Sequence, residues 1–419
     1  MLLLTGLNHH TTPVELRERC YIGAEQLPSL LFALQHLPGV QESVVISTCN
    51  RLEVYTVVHK ASIAKYVISE ICDYYELNQD LITPHIYVEQ GERAAEHLMR
   101  VASGIDSMIL GESQILGQVR SALLTAKTAG TVGTMLHRLF EMAAHTGKRA
   151  HAETAIGEHT TSVSHAAAHL VMEHAPVRSA DILIVGTGEM AVLAAQALAD
   201  RGYTNLHVVN RTYANAVALA QRVGAQAHEW SFLWERMYCA DAVIAATGAP
   251  HLVLYEEDMR HTVRHREHRP LTLVDIAVPR DIDPNINNLP GADVFDIDAL
   301  QNVADENIAQ RHAAVPQVEG IIAEESQKFM SWIRERSVTP VIVELRQEVR
   351  AVVEQELHDA LNKLGESVND EQRAVIERMA HRITNKVLHA PTVGLRAHAA
   401  NGNADEYAAV IRDLFSLEV

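Results

Sequence analysis

Cysteine is scarce in this chain. The four that occur in 419 residues, Cys20, Cys49, Cys72 and Cys239, form neither a C-x-x-C pair nor a dense framework, which excludes a disulfide scaffold and suits a reducing compartment. Also missing is any run of eighteen or more apolar residues, and Leu2-Leu3-Leu4 gives way at once to Asn8-His9-His10, too short an apolar stretch for a secretory signal. The expectation is a soluble, cytoplasmic protein with no membrane association. Positive charge is in short supply: 35 Lys and Arg against 53 Asp and Glu leave a formal net charge of −18. That argues against a surface that binds nucleic acid indiscriminately. A local basic patch stays open, because counterion release depends on the residues that touch phosphate. No internal repeat and no low-complexity tract is visible.

The length suits two to three domains, and 47% hydrophobic residues suffice for packed cores. The N-terminal part alternates short strands (Leu2 to Gly6, Ser43 to Ser47, Glu53 to Val58) with helices, which indicates an α+β domain. Its most pointed feature is Ser47-Thr48-Cys49-Asn50-Arg51-Leu52-Glu53, directly after the apolar run Val44-Val45-Ile46. A strand ends there by presenting one thiol beside a guanidinium and an amide. The cation of Arg51 favours the thiolate, the species that attacks carbonyls. A buried, inert cysteine also fits a strand end, but the polar run around it favours chemistry.

A second readable segment begins at Ser179. Ala180 to Val185 is a buried strand, and Gly186-Thr187-Gly188-Glu189-Met190-Ala191 turns it into an amphipathic helix. Gly186 permits the tight turn, Gly188 lets backbone N–H groups reach a pyrophosphate at the helix N-terminus, and Ala191 supplies the small residue for helix packing. A second strand, Leu206 to Val209, ends in Asn210-Arg211-Thr212. An NAD site normally carries an acidic residue there for the ribose 2′-hydroxyl; a neutral residue followed by arginine suits a 2′-phosphate, so NADPH is favoured over NADH. Later parallel strands are read at Ala242 to Gly248 and Leu271 to Ala277, which makes Thr160 to Asp298 a doubly wound, Rossmann-like domain.

Beyond it the pattern turns helical, with stripes through Val318, Ile322, Phe329 and Ile333, then Leu345, Val349, Val353, Leu357 and Leu361, then Ile376, Met379, Ile383 and Val387. Pro316 is expected to kink or interrupt the first of these helices. A few isolated helices cannot bury such faces alone, so a dimer interface suits them. Between Gly91 and Arg120 lies another polar set, His97, Ser107, Glu112, Ser113, Gln114 and Gln118, interleaved with apolar residues and able to line an amino-acid pocket; Gln114 and Gln118 share a helix face. The histidine pairs His165/His169 and His261/His265 lack an evident third ligand, and no metal is expected.

Taken together, the chain resembles the glutamyl-tRNA reductases over essentially its whole length. The resemblance rests on Gly6 to His9 with Thr12 to Glu18, on Ser47 to Glu53, Gly104 to Gln118, Gly147-Lys148-Arg149, Gly186 to Ala191, Asp275 to Pro284 and Lys386 to Thr392, all in order. It implies a catalytic, glutamyl-tRNA-binding domain (1–155), an NADPH domain (160–298), a linking helix (299–338) and a helical dimerisation domain (339–419). It also implies that Cys49 takes the glutamyl group from tRNA as a thioester, which NADPH reduces to glutamate-1-semialdehyde for tetrapyrrole synthesis. His97 matches the family's active-site histidine, and Thr48, Asn50, Arg51, Ser107, Glu112, Ser113, Gln114 and Gln118 fall in its substrate-binding motifs. Arg51 is the natural clamp for the γ-carboxylate and Glu112 a partner for the α-ammonium; whether His97 donates a proton or orients its neighbours stays open. Implied partners are glutamyl-tRNA(Glu), a second copy of the chain, and the aminomutase that consumes the aldehyde. Two other readings are a thiol-dependent NADP semialdehyde dehydrogenase of a small metabolite, which needs no tRNA, and a non-catalytic nucleotide sensor in which Cys49 is structural.

Overall fold

Strand β3 (Arg51–Val58) is buried at every position, between β2 (Val40–Ser47) and β1 (Leu2–Asn8), with β4 (Tyr87–Gln90) beyond β1. The computed structural model describes residues 1–23, 25–157, 162–267, 269–302 and 308–417. The expected start of the second domain at Thr160 lies outside the described residues, as do 303–307 of the expected linking helix and the last two residues. All pairs in this first sheet are antiparallel. Alternate residues of a strand face opposite sides, so a strand buried throughout is covered on both. Arg51 and Glu53 are charged exceptions in that run and need internal partners.

Helix Leu27–His36 buries Leu27, Leu30, Leu31 and Leu34, the i, i+3, i+4, i+7 stripe of a surface helix. Helices Glu92–Ala102, Gln114–Thr128 and Thr134–Glu153 pack among themselves and on the sheet. Close approach of the first and third needs Gly147, where a Cβ would stand 2.3 Å from the carbonyl oxygen of Ala102.

The second sheet is parallel throughout. Its strands β5 (Ile182–Val185), β6 (Leu206–Val209), β7 (Gln226–His228), β8 (Ala242–Ala245), β9 (Leu271–Asp275) and β10 (Ala292–Phe295) run in the order β10-β9-β8-β5-β6-β7. This is a doubly wound sheet whose strand order reverses beside β5, where such folds bind dinucleotides. Helix Val163–His174 and helix Glu189–Asp200 pack together over it in an apolar core with Ile182, Ile184 and Val208.

Both sheets belong to one compact unit, Met1–Ile322, and a second unit spans Ala323–Val419. Helix Ile308–Ser337 is continuous through Pro316, so the expected interruption does not occur. A proline in a helix costs about 3 kcal/mol, but Arg311, Ala314, Val318 and Ile322 are buried on both sides of it, and that packing outweighs the lost hydrogen bond. The second unit is helical, with Thr339–Leu364, Asp370–Ala400 and Ala404–Leu414 around a small core of Val338, Val341, Ile342, Leu395, Ala399 and Ala408. Met379, Ile383 and Val387, spaced by four on one helix, are more than half exposed. No described helix is long and apolar enough to cross a membrane.

Candidate functional site

Cys49 sits at the tip of the β2–β3 hairpin. The turn is held by Thr48, whose hydroxyl accepts the backbone N–H groups of Asn50 (3.1 Å) and Arg51 (3.2 Å), while its own N–H donates to the Arg51 carbonyl at 2.9 Å. A threonine that bonds its following backbone groups makes a tight turn without glycine. Asn50 is tied to the end of β1 through its carbonyl, which accepts the His9 N–H at 2.9 Å. The thiol is therefore displayed on a pinned loop, partly accessible.

Two residues along β3, Glu53 is fully buried and forms the hub of the site. Its Oε1 accepts Arg51 Nη1 at 2.6 Å, the Tyr87 hydroxyl at 2.7 Å and His97 Nε2 at 2.8 Å, and its Oε2 accepts the Tyr55 hydroxyl at 2.7 Å. Burial alone pushes this carboxyl up, but His97 and Arg51 outweigh it and hold Glu53 well below the usual carboxylate range. Burial likewise disfavours the imidazolium of His97, and the facing Glu53 overcomes it, so the His97 pKa is raised. Arg51 Nη1 also binds Asp106 Oδ2 at 2.9 Å, and Nη2 donates to the Asp106 carbonyl.

These contacts limit the expected effect of Arg51, which favours the thiolate but does not overcome burial. Its charge is engaged by two carboxylates, and burial pushes the Cys49 thiol up to about 12, with Glu112 adding to the rise and Arg17 and Arg51 opposing it only in part. Substrate or solvent reaching the sulfur relieves some of this.

Asp106 and Glu112 reach the hairpin from one pinched loop, which also carries Ser107. Gly111 N–H donates to the Gly104 carbonyl at 2.9 Å, and both glycines have positive φ, +76° and +80°. A Cβ at Gly111 would meet the Ile156 carbonyl oxygen at 2.1 Å, so only glycine allows this crossing. Glu112 is nearly buried, and its carboxyl is pushed up to about 7 by burial, with Arg51 opposing. Several buried polar atoms here have no partner among the described residues: Asn50 Oδ1, Ser107 Oγ, His9 Nδ1 and Arg17 Nε. Orphaned buried donors and acceptors are rare in folded proteins, and a polar ligand satisfies them.

Thr48 and Asn50 thus flank Cys49 in the turn, Arg51 and His97 meet at Glu53, Glu112 lies within electrostatic reach of the thiol, and Ser107, next to Asp106, keeps an unpartnered hydroxyl. Ser113, Gln114 and Gln118 lie at and beyond the start of helix Gln114–Thr128 with no hydrogen bond to this cluster among the described residues. Sequence reasoning passed over Glu53, Tyr55, Tyr87 and Asp106. The available signal was a charge pair, Arg51 and Glu53, in an otherwise apolar strand. Glu53, His97 and Asp106 also form the one three-member group of possible metal ligands among the described residues, but Arg51 already places a cation against both carboxylates.

Gly186 closes β5 at φ +107°, with a Cβ position only 2.3 Å from the Ala246 carbonyl oxygen, whereas a Cβ on Gly188 would face open space, its nearest neighbour 3.9 Å away. Helix Glu189–Asp200 starts there with Gly188 as its cap, and Ala191 is fully buried against the sheet. Thr187, Glu189 and Met190 flank this opening, and its unpaired N–H groups suit a pyrophosphate. Asn210 Nδ2 bonds the Thr212 carbonyl at 2.9 Å, which leaves Arg211 exposed at the end of β6, with no ion pair among the described residues. The residues present fit a dinucleotide.

Residues 5–154 match the family model for the glutamyl-tRNAGlu reductase N-terminal domain and 317–417 the model for that enzyme's dimerisation domain. Residues 168–303 match the shikimate/quinate 5-dehydrogenase model, which makes the parallel sheet a nicotinamide-cofactor domain. The glutamyl-tRNA reductase of Chloroflexus aurantiacus is 38% identical, covering 100% of this chain and 99% of that protein. That of Moorella thermoacetica is 39% identical over 100% and 95%. Among solved structures, the glutamyl-tRNA reductase from Methanopyrus kandleri is 31% identical, covering 95% of this chain and 98% of that one, with a TM-score of 0.48. A thiol-bearing hairpin, a nicotinamide domain and a dimerising helical domain, matched along the full length, place the chain in the glutamyl-tRNA reductase family.

Proposed function

We propose that this oxidoreductase converts glutamyl-tRNA(Glu) to glutamate-1-semialdehyde with NADPH, releasing tRNA, as the first step of tetrapyrrole synthesis from glutamate. The observation that supports the site assignment is a thiol held at the tip of a pinned hairpin, next to Asn50, whose buried Oδ1 has no partner among the described residues. In this reading the Cys49 sulfur attacks the ester carbonyl, the bond to the tRNA 3′-terminal ribose breaks, and the proton lost by the thiol ends on the departing ribose oxygen. The product is a glutamyl thioester on Cys49, more electrophilic than a carboxylate. A bound reduced nicotinamide supplies the hydride that this acyl group accepts.

The protein's own groups set up the transfer. Asn50 and Ser107 offer their unsatisfied polar atoms to the substrate, and Glu112 meets its α-ammonium, a contact that draws the carboxyl back to its ionised form. Arg51 clamps the γ-carboxylate by exchanging one of its present carboxylate partners for the substrate's. His97, its pKa raised by the facing Glu53, donates a proton or orients its neighbours. Ser113, Gln114 and Gln118 border the entrance. Arg211 supports NADPH over NADH, since a free guanidinium at the end of β6 suits a 2′-phosphate. By the same reading the enzyme works in the cytoplasm, where its four free thiols stay reduced, and hands its aldehyde to the aminomutase.

The test is NADPH oxidation by the purified protein with glutamyl-tRNA against free glutamate. Oxidation with the former alone supports the reading. Equal rates with free glutamate, or activity surviving ribonuclease treatment of the substrate, return the protein to the small-metabolite class.

A further inference from the structure

Arg17 belongs to none of the roles assigned above, yet it is among the most buried cations of the chain, with its side chain 2% exposed. It lies on the short helix Val14–Arg19, between the two sheets. Nη1 donates to the Thr12 carbonyl at 3.2 Å, and Nη2 reaches across to Asp298 Oδ1 of the nicotinamide domain at 2.6 Å. Nε is buried with no partner among the described residues. The same helix is fastened a second time: Arg280, beyond β9, places Nε 2.8 and 3.0 Å from the two oxygens of Glu18, and its backbone N–H also donates to Glu18. One turn before Arg17, Val14 enters the apolar cluster built around β5 and β6, against which Cys49, Met108 and Ile109 also pack. The thiol, the buried arginine and the nicotinamide domain thus meet at one seam.

A guanidinium costs several kcal/mol to bury and keeps its place only when its donors are used. Arg17 uses Nη1 and Nη2 and leaves Nε without a partner among the described residues, within electrostatic reach of the Cys49 thiol. Arg51, two residues from Cys49, is engaged by Glu53 and Asp106.

We propose that Arg17 is a positioning residue that serves as the charge partner of Cys49, held in place from the nicotinamide domain by Asp298, so that seating of that domain and readiness of the thiol are one event. The inference rests on Cys49 being the nucleophile. Of the charged groups acting on the thiol, Glu112 opposes ionisation, while Arg17 and then Arg51 favour it; Tyr21 also lies within electrostatic reach. Asp298 therefore has two possible influences of opposite sign: it anchors a cation that favours the thiolate, and it is itself an anion.

The experiment follows alkylation of Cys49 by iodoacetamide against pH in the full-length protein, read by mass spectrometry of the Cys49 peptide. Arg17→Ala should shift the profile upward by about one pH unit, which is roughly tenfold slower alkylation at a fixed pH below it; Arg17→Lys should restore most of the rate. Asp298→Ala, at a half-exposed position, should shift the profile in the same direction as Arg17→Ala. An unshifted profile in Arg17→Ala overturns the pairing, and a downward shift in Asp298→Ala overturns the anchoring. If Arg17→Ala fails to fold, the direction of the shift in Asp298→Ala still decides the matter. Failure of Cys49 to be acylated by glutamyl-tRNA would instead sink the nucleophile reading, whatever the alkylation profiles show.

Discussion

Arg51 Nη1 stands 2.6 Å from Glu53 Oε1, with both side chains shut off from water at 1% and 0% exposure. A buried pair of this kind is costly to break from one side, because the partner is left charged and uncompensated. Glu53→Gln should therefore lower stability by about 3 kcal/mol, visible as a fall in the denaturation midpoint in urea. It should also drop the His97 pKa, since Glu53 is what raises it; an NMR titration of His97 that does not move would contradict the hub.

The same two shifts set a pH dependence. Glu53 is depressed in the fold, so its contribution is present above the unfolded carboxylate range and is lost as pH falls through its folded value. His97 is raised, so its contribution is full below about 6.5 and is lost as pH rises through its folded value. Stability should decline on both sides, and His97→Gln should remove the alkaline decline while retaining much of the acid one.

Gly186 and Gly188 should fail differently. Gly186→Ala forces a Cβ against the Ala246 carbonyl at positive φ and should destabilise the domain by a few kcal/mol. Gly188→Leu meets open space and should leave thermal unfolding nearly unchanged while abolishing cofactor binding, because the side chain fills the pyrophosphate's place. Arg211→Ala should weaken NADPH by about 1.5–3 kcal/mol and NADH little; equal losses in a fluorescence titration remove Arg211 from the 2′-phosphate.

Glu112 stands second only to burial in raising the Cys49 thiol. Glu112→Gln removes that repulsion, so the thiol pKa should fall and alkylation of Cys49 at pH 8 should accelerate, while KM for glutamyl-tRNA should rise if Glu112 holds the α-ammonium as proposed. Slower alkylation would mean that Glu112 does not face the sulfur.

Met379, Ile383 and Val387 expose an apolar stripe on the longest helix of a domain whose family model is a dimerisation domain. Ile383→Glu combined with Val387→Glu should convert the dimer to a monomer in sedimentation equilibrium. A dimer of unchanged strength would place the interface elsewhere.

Legibility in the sequence followed burial and locality. Strands β5, β6, β8 and β9 read clearly because central parallel strands are buried on both faces and therefore mostly apolar. The edge strand β7, Gln226-Ala227-His228, β10, and the half-exposed β4 carry no such run and were missed. Pro316 does not interrupt its helix because propensity is local and the packing around it is not. At the site, the Thr-Cys-Asn-Arg turn announced its thiol. The charges that govern that thiol did not, since Arg17 and Glu112 arrive from distant segments and Asp106 captures Arg51 through space.

The measurement that tests the central claim most directly is made without cofactor. The protein is mixed with glutamyl-tRNA, quenched in acid, and the Cys49 peptide is weighed. The account predicts a glutamyl mass on Cys49 with release of tRNA, discharged to aldehyde when NADPH is added, retained by Gly188→Leu and absent from Cys49→Ser. A Cys49→Ser enzyme that turns over at near the normal rate would contradict it.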